Sequence, residues 1–422
     1  MDILIKNLNF PKNIHKDLSR GDILIRDGRI TEIAPSIEPG KTENLEILDA
    51  DAGYVSPGWV EIFSDFADPG YEFKEDLSTG SAAAFAGGFT HVFLLPSTHP
   101  VVDNKSQVRY IIEKAARLPV NLYPIGAISK GLEGKELSEM YDMAASGAIA
   151  FSDGKAPLQS AGLLLKALQY VKANDGVLIQ LPFDNTIGTF GLINEGITST
   201  RLGLPGLPAI AEELMIQRDI ELVRYTESKL HFTGISSKKS MDLIAAAKQE
   251  GLPVTCSVTP HHLLFTDEDL IGYDTNLKLN PPLRGREDRD ALREGVKNGV
   301  IDMVATHHFA EHSDDKVREF EYAKNGMIGL QTSFSVLMEA MPDITPERVV
   351  ELLSLMPRTV FGLDTGTLKV GQMADLTIFH PTKNSTFTKQ DNKSKAANSP
   401  YFDRPLTGKV LATISRNQIT KN

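Results

Sequence analysis

The chain has 422 residues, 41% of them hydrophobic, and a formal net charge of −11. That length suits one large domain plus a small one, and the acidic balance disfavours nucleic acid and anionic membrane as partners. Cys256 is the single cysteine, so neither an intrachain disulfide nor a cysteine-based zinc site can form, which fits a reducing cytoplasm.

The opening residues, Met1-Asp2-Ile3-Leu4-Ile5-Lys6, lack the apolar stretch of a signal peptide, and no apolar run reaches the roughly 18 residues of a membrane helix. Short alternating strands are predicted at 3–8, 22–27 (followed by Gly28) and 29–33. The string Pro57-Gly58-Trp59-Val60-Glu61-Ile62-Phe63-Ser64-Asp65 follows. Side chains two apart on a strand share a face, so Phe63 and Asp65 leave its end together. Strand-like runs at 90–95, 121–125, 148–151, 177–181, 229–233, 253–258 and 302–305 then alternate with helical stretches. These lie at 108–117, 162–173, 208–226, 239–250 and 286–298. Repeated strand-then-helix order implies parallel strands with crossover helices. About eight such units predict an α/β fold of the (β/α)8 TIM-type barrel, with its functional residues at the C-terminal strand ends. Residues 366–379 predict strand, turn, strand; 406–414 predict a further strand; and the polar stretch 383–395 reads as a loop. Chain ends often lie close together. Residues 1–55 together with 362–422 are therefore expected to build a small β-sandwich, and 56–361 the barrel.

Several strings carry a resemblance to a family. Asp68-Pro69-Gly70-Tyr71-Glu72-Phe73-Lys74-Glu75, Ala86-Gly87-Gly88-Phe89-Thr90, Phe151-Ser152-Asp153-Gly154, Thr259-Pro260-His261-His262-Leu263-Leu264 and Lys278-Leu279-Asn280-Pro281-Pro282-Leu283-Arg284 occur in order. Nearly end to end the chain resembles dihydroorotase of the amidohydrolase superfamily. The resemblance implies hydrolysis of a cyclic amide, with metal ions activating water and an Asp at the end of strand eight shuttling the proton. It also places the family's metal ligands, and here most are replaced. The family's Pro-Gly-x-x-Asp-x-His-x-His puts its two His on Phe63 and Asp65. The bridging carboxylate falls on Asp153, two further His on Gln180 and Gly234, and the catalytic Asp on His307. Only Asp153 is retained. The Arg that pairs with the substrate carboxylate falls on Ala67, which removes a bidentate contact, and a family Asn falls on Ser97.

Two readings of the remaining polar groups stay open. Asp65, Asp153 and His307 could form a rebuilt single-metal site with Gln180 as a weak fourth ligand, taking one divalent ion such as zinc; or they are polar groups that hydrogen-bond one another in the barrel mouth. His231 falls at a supporting position and reads as a core histidine satisfied by hydrogen bonds. His261 and His262 read as packing beside a loop shaped by Thr259 and Pro260, and Cys256 as a small core residue. His307, His308 and His312 either bind metal or are what drift leaves in a strand-eight loop.

The expected function is a catalytically inactive dihydroorotase homologue without a cofactor. The resemblance implies a role as companion subunit of aspartate transcarbamoylase in pyrimidine synthesis, and a homodimer is a further expectation. The alternatives are a cyclic-amide hydrolase using the rebuilt site, and a metabolite-binding pseudoenzyme with a pocket near Asn280 and Arg284.

Overall fold

Two eight-stranded sheets organise the chain in the computed structural model, which describes residues 2–39, 45–364 and 366–422. The first is begun by β1 (Ile3–Asn9), β2 (Arg20–Arg26), β3 (Arg29–Ala34), β4 (Glu46–Asp49) and β5 (Tyr54–Pro57). Period-two alternation serves two cores at once. Ile3, Ile5, Ile23 and Ile25 join Val55 in one cluster, while Leu4 and Leu24, one residue out of phase, join Ile37 in another. The β2–β3 hairpin closes through Asp27 and Gly28, both at positive φ (50° and 73°), between the paired Arg26 and Arg29. That is the geometry an Asp-Gly two-residue turn supplies.

The second sheet is the barrel. Its strands are β6 (Trp59–Ser64), β7 (Phe89–Leu94), β8 (Asn121–Gly126), β9 (Ala150–Phe151) and β10 (Val177–Gln180). After a short parallel pair, β11 (Ile193–Asn194) with β12 (Gly206–Leu207), come β13 (Lys229–Phe232), β14 (Val254–Val258) and β15 (Met303–Val304). Each barrel strand pairs in parallel with the next in chain order. Every residue of β6, β7 and β10 is buried, as expected of strands with helices outside and a packed lumen inside. First and last strands meet where the Asp65 N–H donates to the His308 carbonyl at 3.0 Å. The buried Glu61 carboxylate strengthens this closure by accepting from the Phe63 N–H (2.8 Å) and the Thr306 N–H (2.7 Å). The lumen is filled by Val60, Ile62, Phe63, Phe93, Ile179 and Phe309, among others.

Crossover helices form where sequence periodicity predicts them, as Lys105–Ala115, Ala161–Lys172, Ile210–Thr226, Lys238–Gln249 and Arg286–Asn298. Asn104, Ser160 and Ser237 cap three of them through side-chain oxygens. The chain then returns to the first sheet as β16 (Leu376–Thr386), β17 (Pro405–Ser415) and β18 (Gln418–Lys421), with β16 antiparallel to β5. Trp59, fully buried, packs on Phe89, Phe334 and Phe379 where the two sheets meet.

Two sequence expectations change here. Residues 366–375 are not a strand: Met373 makes an isolated bridge to Arg29, and regular pairing begins at Leu376. The stretch 383–395 is not all loop, because β16 runs on to Thr386 and its Asn384, Ser385 and Thr386 pair with Thr407, Leu406 and Pro405. Ladder hydrogen bonds are made by the backbone, so a polar run can still be strand.

Candidate functional site

Phe63 and Asp65 emerge at the mouth of the barrel. The Phe63 ring, fully buried, lies 4.8 Å from the His307 ring and 6.0 Å from Phe309, centroid to centroid. It offers no lone pair. Asp65 is engaged on both oxygens: Oδ1 accepts from the Ala67 N–H at 2.9 Å and Oδ2 from the Lys155 ammonium at 2.6 Å. Lys155 also stands 4.9 Å above the Phe309 ring, a cation–π contact. Burial pulls the Lys155 pKa down, yet the carboxylates of Asp65 and Glu311 outweigh it and hold the group above its ordinary value.

Asp153 follows β9 and is buried. Its Oδ1 accepts from the Ile128 and Ser129 N–H groups (2.8 and 2.9 Å) and its Oδ2 from the Ser129 hydroxyl (2.5 Å). Burial raises its pKa against these three bonds. Gln180, at the end of β10, turns toward Asp219 (3.3 Å) and the Leu158 backbone. Asp219 itself is pushed up to about 6 by burial.

Gly234 and His307 form one steric unit. Gly234 has φ +66°, and a Cβ built on it would lie 2.5 Å from His307 Cε1. The imidazole therefore stands in the volume that a side chain at 234 would need. His307 Nε2 pairs with the Thr233 hydroxyl at 2.8 Å. Burial, reinforced by His262, His261 and His231, holds the ring well below the usual histidine range, hence neutral. His308 faces the other way, toward Glu75 at 3.4 Å. Burial raises the Glu75 pKa, but hydrogen bonds from His308, Ser394 and Thr79 prevail and leave it lowered.

The residues do not fit the family's metal. Phe63 and Gly234 cannot donate; Asp65 is closed by an ammonium; Asp153 has three donors of its own; and the Nε2 of His307 is bonded to Thr233. The alternative set of Asp65, Asp153 and His307 is not assembled as a cluster, and none of three or more His, Cys, Asp or Glu able to hold an ion occurs among the described residues. The arrangement packs and neutralises the mouth with its own side chains.

Of the two expected substrate contacts, Arg284 is buried and Asn280 half-buried. Arg284 is 3% exposed and donates from Nε to the Ser236 hydroxyl and from Nη1 to Asn194 and the Leu207 carbonyl. Its guanidinium braces the protein through these bonds. Asn280 is half-buried beside a cis bond to Pro281 and pairs with nothing in the described chain. Ala67 is buried and Ser97 half-buried, and neither carries a charged side chain. His231 is the hydrogen-bonded core residue expected, between Thr255 (2.9 Å) and Ser257 (3.0 Å). Cys256 is buried as expected. Thr259 and Pro260 shape a helix, Pro260–Leu264, rather than a loop; the Thr259 hydroxyl caps it, and Pro260 stands at the position where an N–H is not needed. Within it His261 pairs with the Tyr401 hydroxyl and His262 with Thr259 and the Pro281 carbonyl. His312 caps the short helix Ser313–Lys316. Lys155 is the residue that sequence reading passed over. Its one signal is the shortened Phe151-Ser152-Asp153-Gly154 string, which brings a lysine to the strand-four end.

A parallel (β/α)8 barrel joined to a sheet from both chain ends is the amidohydrolase-type architecture. The structure superposes on an L-hydantoinase (dihydropyrimidinase) from Arthrobacter aurescens with a TM-score of 0.86, covering 100% of this chain and 96% of that one at 24% identity. Residues 54–240 match the family described as Dihydro-orotase-like. Two relatives named dihydroorotase are similar over nearly the whole chain. That of Acetivibrio thermocellus is 41% identical, covering 94% of each chain, and that of Geotalea daltonii is 39% identical, covering 98% of each. The chain belongs to the dihydroorotase-like family.

Proposed function

We propose that this chain is a non-catalytic member of its family and acts in pyrimidine synthesis as a companion subunit of aspartate transcarbamoylase. The observation that carries the first half is the Lys155–Asp65 contact of 2.6 Å: a cation of the protein's own sits on the one carboxylate of the strand-one pair. Metal-assisted hydrolysis needs an open coordination position and an activated water, and a general base within reach of it. Here the strand-eight position holds a neutral imidazole already bonded to Thr233, and Phe63 and Phe309 fill the space around it. The second half rests on family membership together with a full-length, well-packed barrel kept without its chemistry. Binding a partner is a function such a scaffold can retain.

Elemental analysis after metal-supplemented expression, paired with a dihydroorotase assay in both directions, tests the first half. The expected result is no stoichiometric metal and no turnover. About one divalent ion per chain, lost in Asp65→Ala or His307→Ala, would overturn it in favour of a cyclic-amide hydrolase with a rebuilt site. Affinity purification of the tagged chain from its own cells tests the second half, with a transcarbamoylase expected as the stoichiometric companion. A chain recovered alone would sink that role. A melting-temperature rise with dihydroorotate or carbamoyl aspartate would move the reading to a metabolite-binding protein.

A further inference from the structure

The ion pairs at the barrel mouth form a strut that crosses the lumen. Asp65 follows β6 and Lys155 follows β9, and β7 and β8 lie between those strands in the sheet. Their contact therefore spans the opening instead of running along a paired ladder. A second pair, Lys74 with Glu311 at 2.7 Å, ties the connection after β6 to the segment after β15. The Lys155 ammonium is seated on Asp65 and over Phe309, the ring that underlies this part of the mouth. The Asp65 side chain is only 10% exposed, so its charge needs a nearby cation.

We infer that Lys155 is the built-in cation of this barrel: its ammonium neutralises Asp65 and joins the first and fourth strand ends, and the fold consequently holds its mouth together without any divalent ion. The strut does not depend on a transcarbamoylase partner, and the isolated chain shows it equally.

A double-mutant cycle on the full-length protein tests this, using Lys155→Met, which keeps length but not charge, Asp65→Asn, and the pair together. Melting temperatures are read in chelator. Each single change is expected to lower the melting temperature, and the double change to lower it by less than the sum of the two, since neither charge is then left alone. Lys155→Arg, which keeps the cation, is expected to lose less than Lys155→Met. The wild-type protein is expected to melt at one temperature in chelator and in millimolar Mn2+. Additive losses overturn the inference, as does a wild-type protein that Mn2+ stabilises. Should Lys155→Met not fold, the double variant decides: folded, it supports the strut, and unfolded, it shows that packing rather than charge is what Lys155 supplies. A failed cycle beside a captured transcarbamoylase would remove the strut and leave the companion role standing.

Discussion

A side chain can vanish from a packed site without leaving a void only when another takes its volume, and Gly234 with His307 shows this. The two are sterically exclusive, since the 2.5 Å approach of an added Cβ is below any real contact. Gly234→Ala is expected to cost about 1–3 kcal/mol of unfolding free energy, measured by urea denaturation. In a His307→Ala background the same change should cost less, leaving only the strain of φ +66°. Equal costs in both backgrounds would refute the steric account. At this scale the sequence was legible wherever one letter suffices: Phe63 and Gly234 cannot ligate anything, whatever surrounds them. It was not legible where the chemistry is a pairing. Lys155 and Asp65 lie 90 residues apart, and nothing local marks a lysine as the partner of a distant carboxylate.

Elements were legible in proportion to their apolar runs. β7, β10 and β14 stand out as buried stretches between helical segments, whereas the helix Pro260–Leu264 was read as a loop because five residues are too few for a period. The connection between β10 and β13 shows the same limit. Its short pair β11–β12 is held by Arg284, which bonds Asn194 and the Leu207 carbonyl and lies 3.9 Å from Glu212 on the helix Ile210–Thr226. Glu212 in turn accepts from the Ser236 N–H at 2.9 Å. Arg284→Ala is expected to destabilise the protein by about 3–5 kcal/mol, because it leaves the buried Glu212 carboxylate without its cation and removes the bonds to Ser236, Asn194 and the Leu207 carbonyl. Arg284→Lys should recover little of that, since one ammonium cannot stand at both the Nε position that serves Ser236 and the Nη1 position that serves Asn194 and Leu207. Denaturant melts of both variants check this. A near-neutral Arg284→Ala would refute this bracing role.

For the whole molecule, the buried histidines set the response to acid. Burial pushes His91 and His262 down to about 4 and His231 and His261 down to about 3. It holds His307 well below its usual range as well. Between these values and the unfolded value of about 6.5, the unfolded chain binds protons that the folded chain refuses. Stability is therefore full above about pH 6.5 and falls as the pH drops, each group contributing up to about 1.4 kcal/mol per pH unit. Asp219, raised to about 6, works in the opposite direction and softens the slope. Urea midpoints taken between about pH 5 and pH 7.5 at fixed salt should fall steadily toward acid. A flat profile would mean that these rings titrate in the fold much as they do in the unfolded chain.

The sheet shared by both chain ends also has a consequence in time. β5 is laid down early, yet the strand that covers its far edge, β16, begins only at Leu376. During ribosomal synthesis at about 5–20 residues per second, that edge waits on the order of 20–60 s for its neighbour. Throughout the interval Tyr54–Pro57 presents open backbone donors and acceptors, while the barrel strands that follow are already collecting. The nascent chain thus carries an unfinished seam while all the barrel strands are made, and a stretch synthesised only after them is the one that closes it.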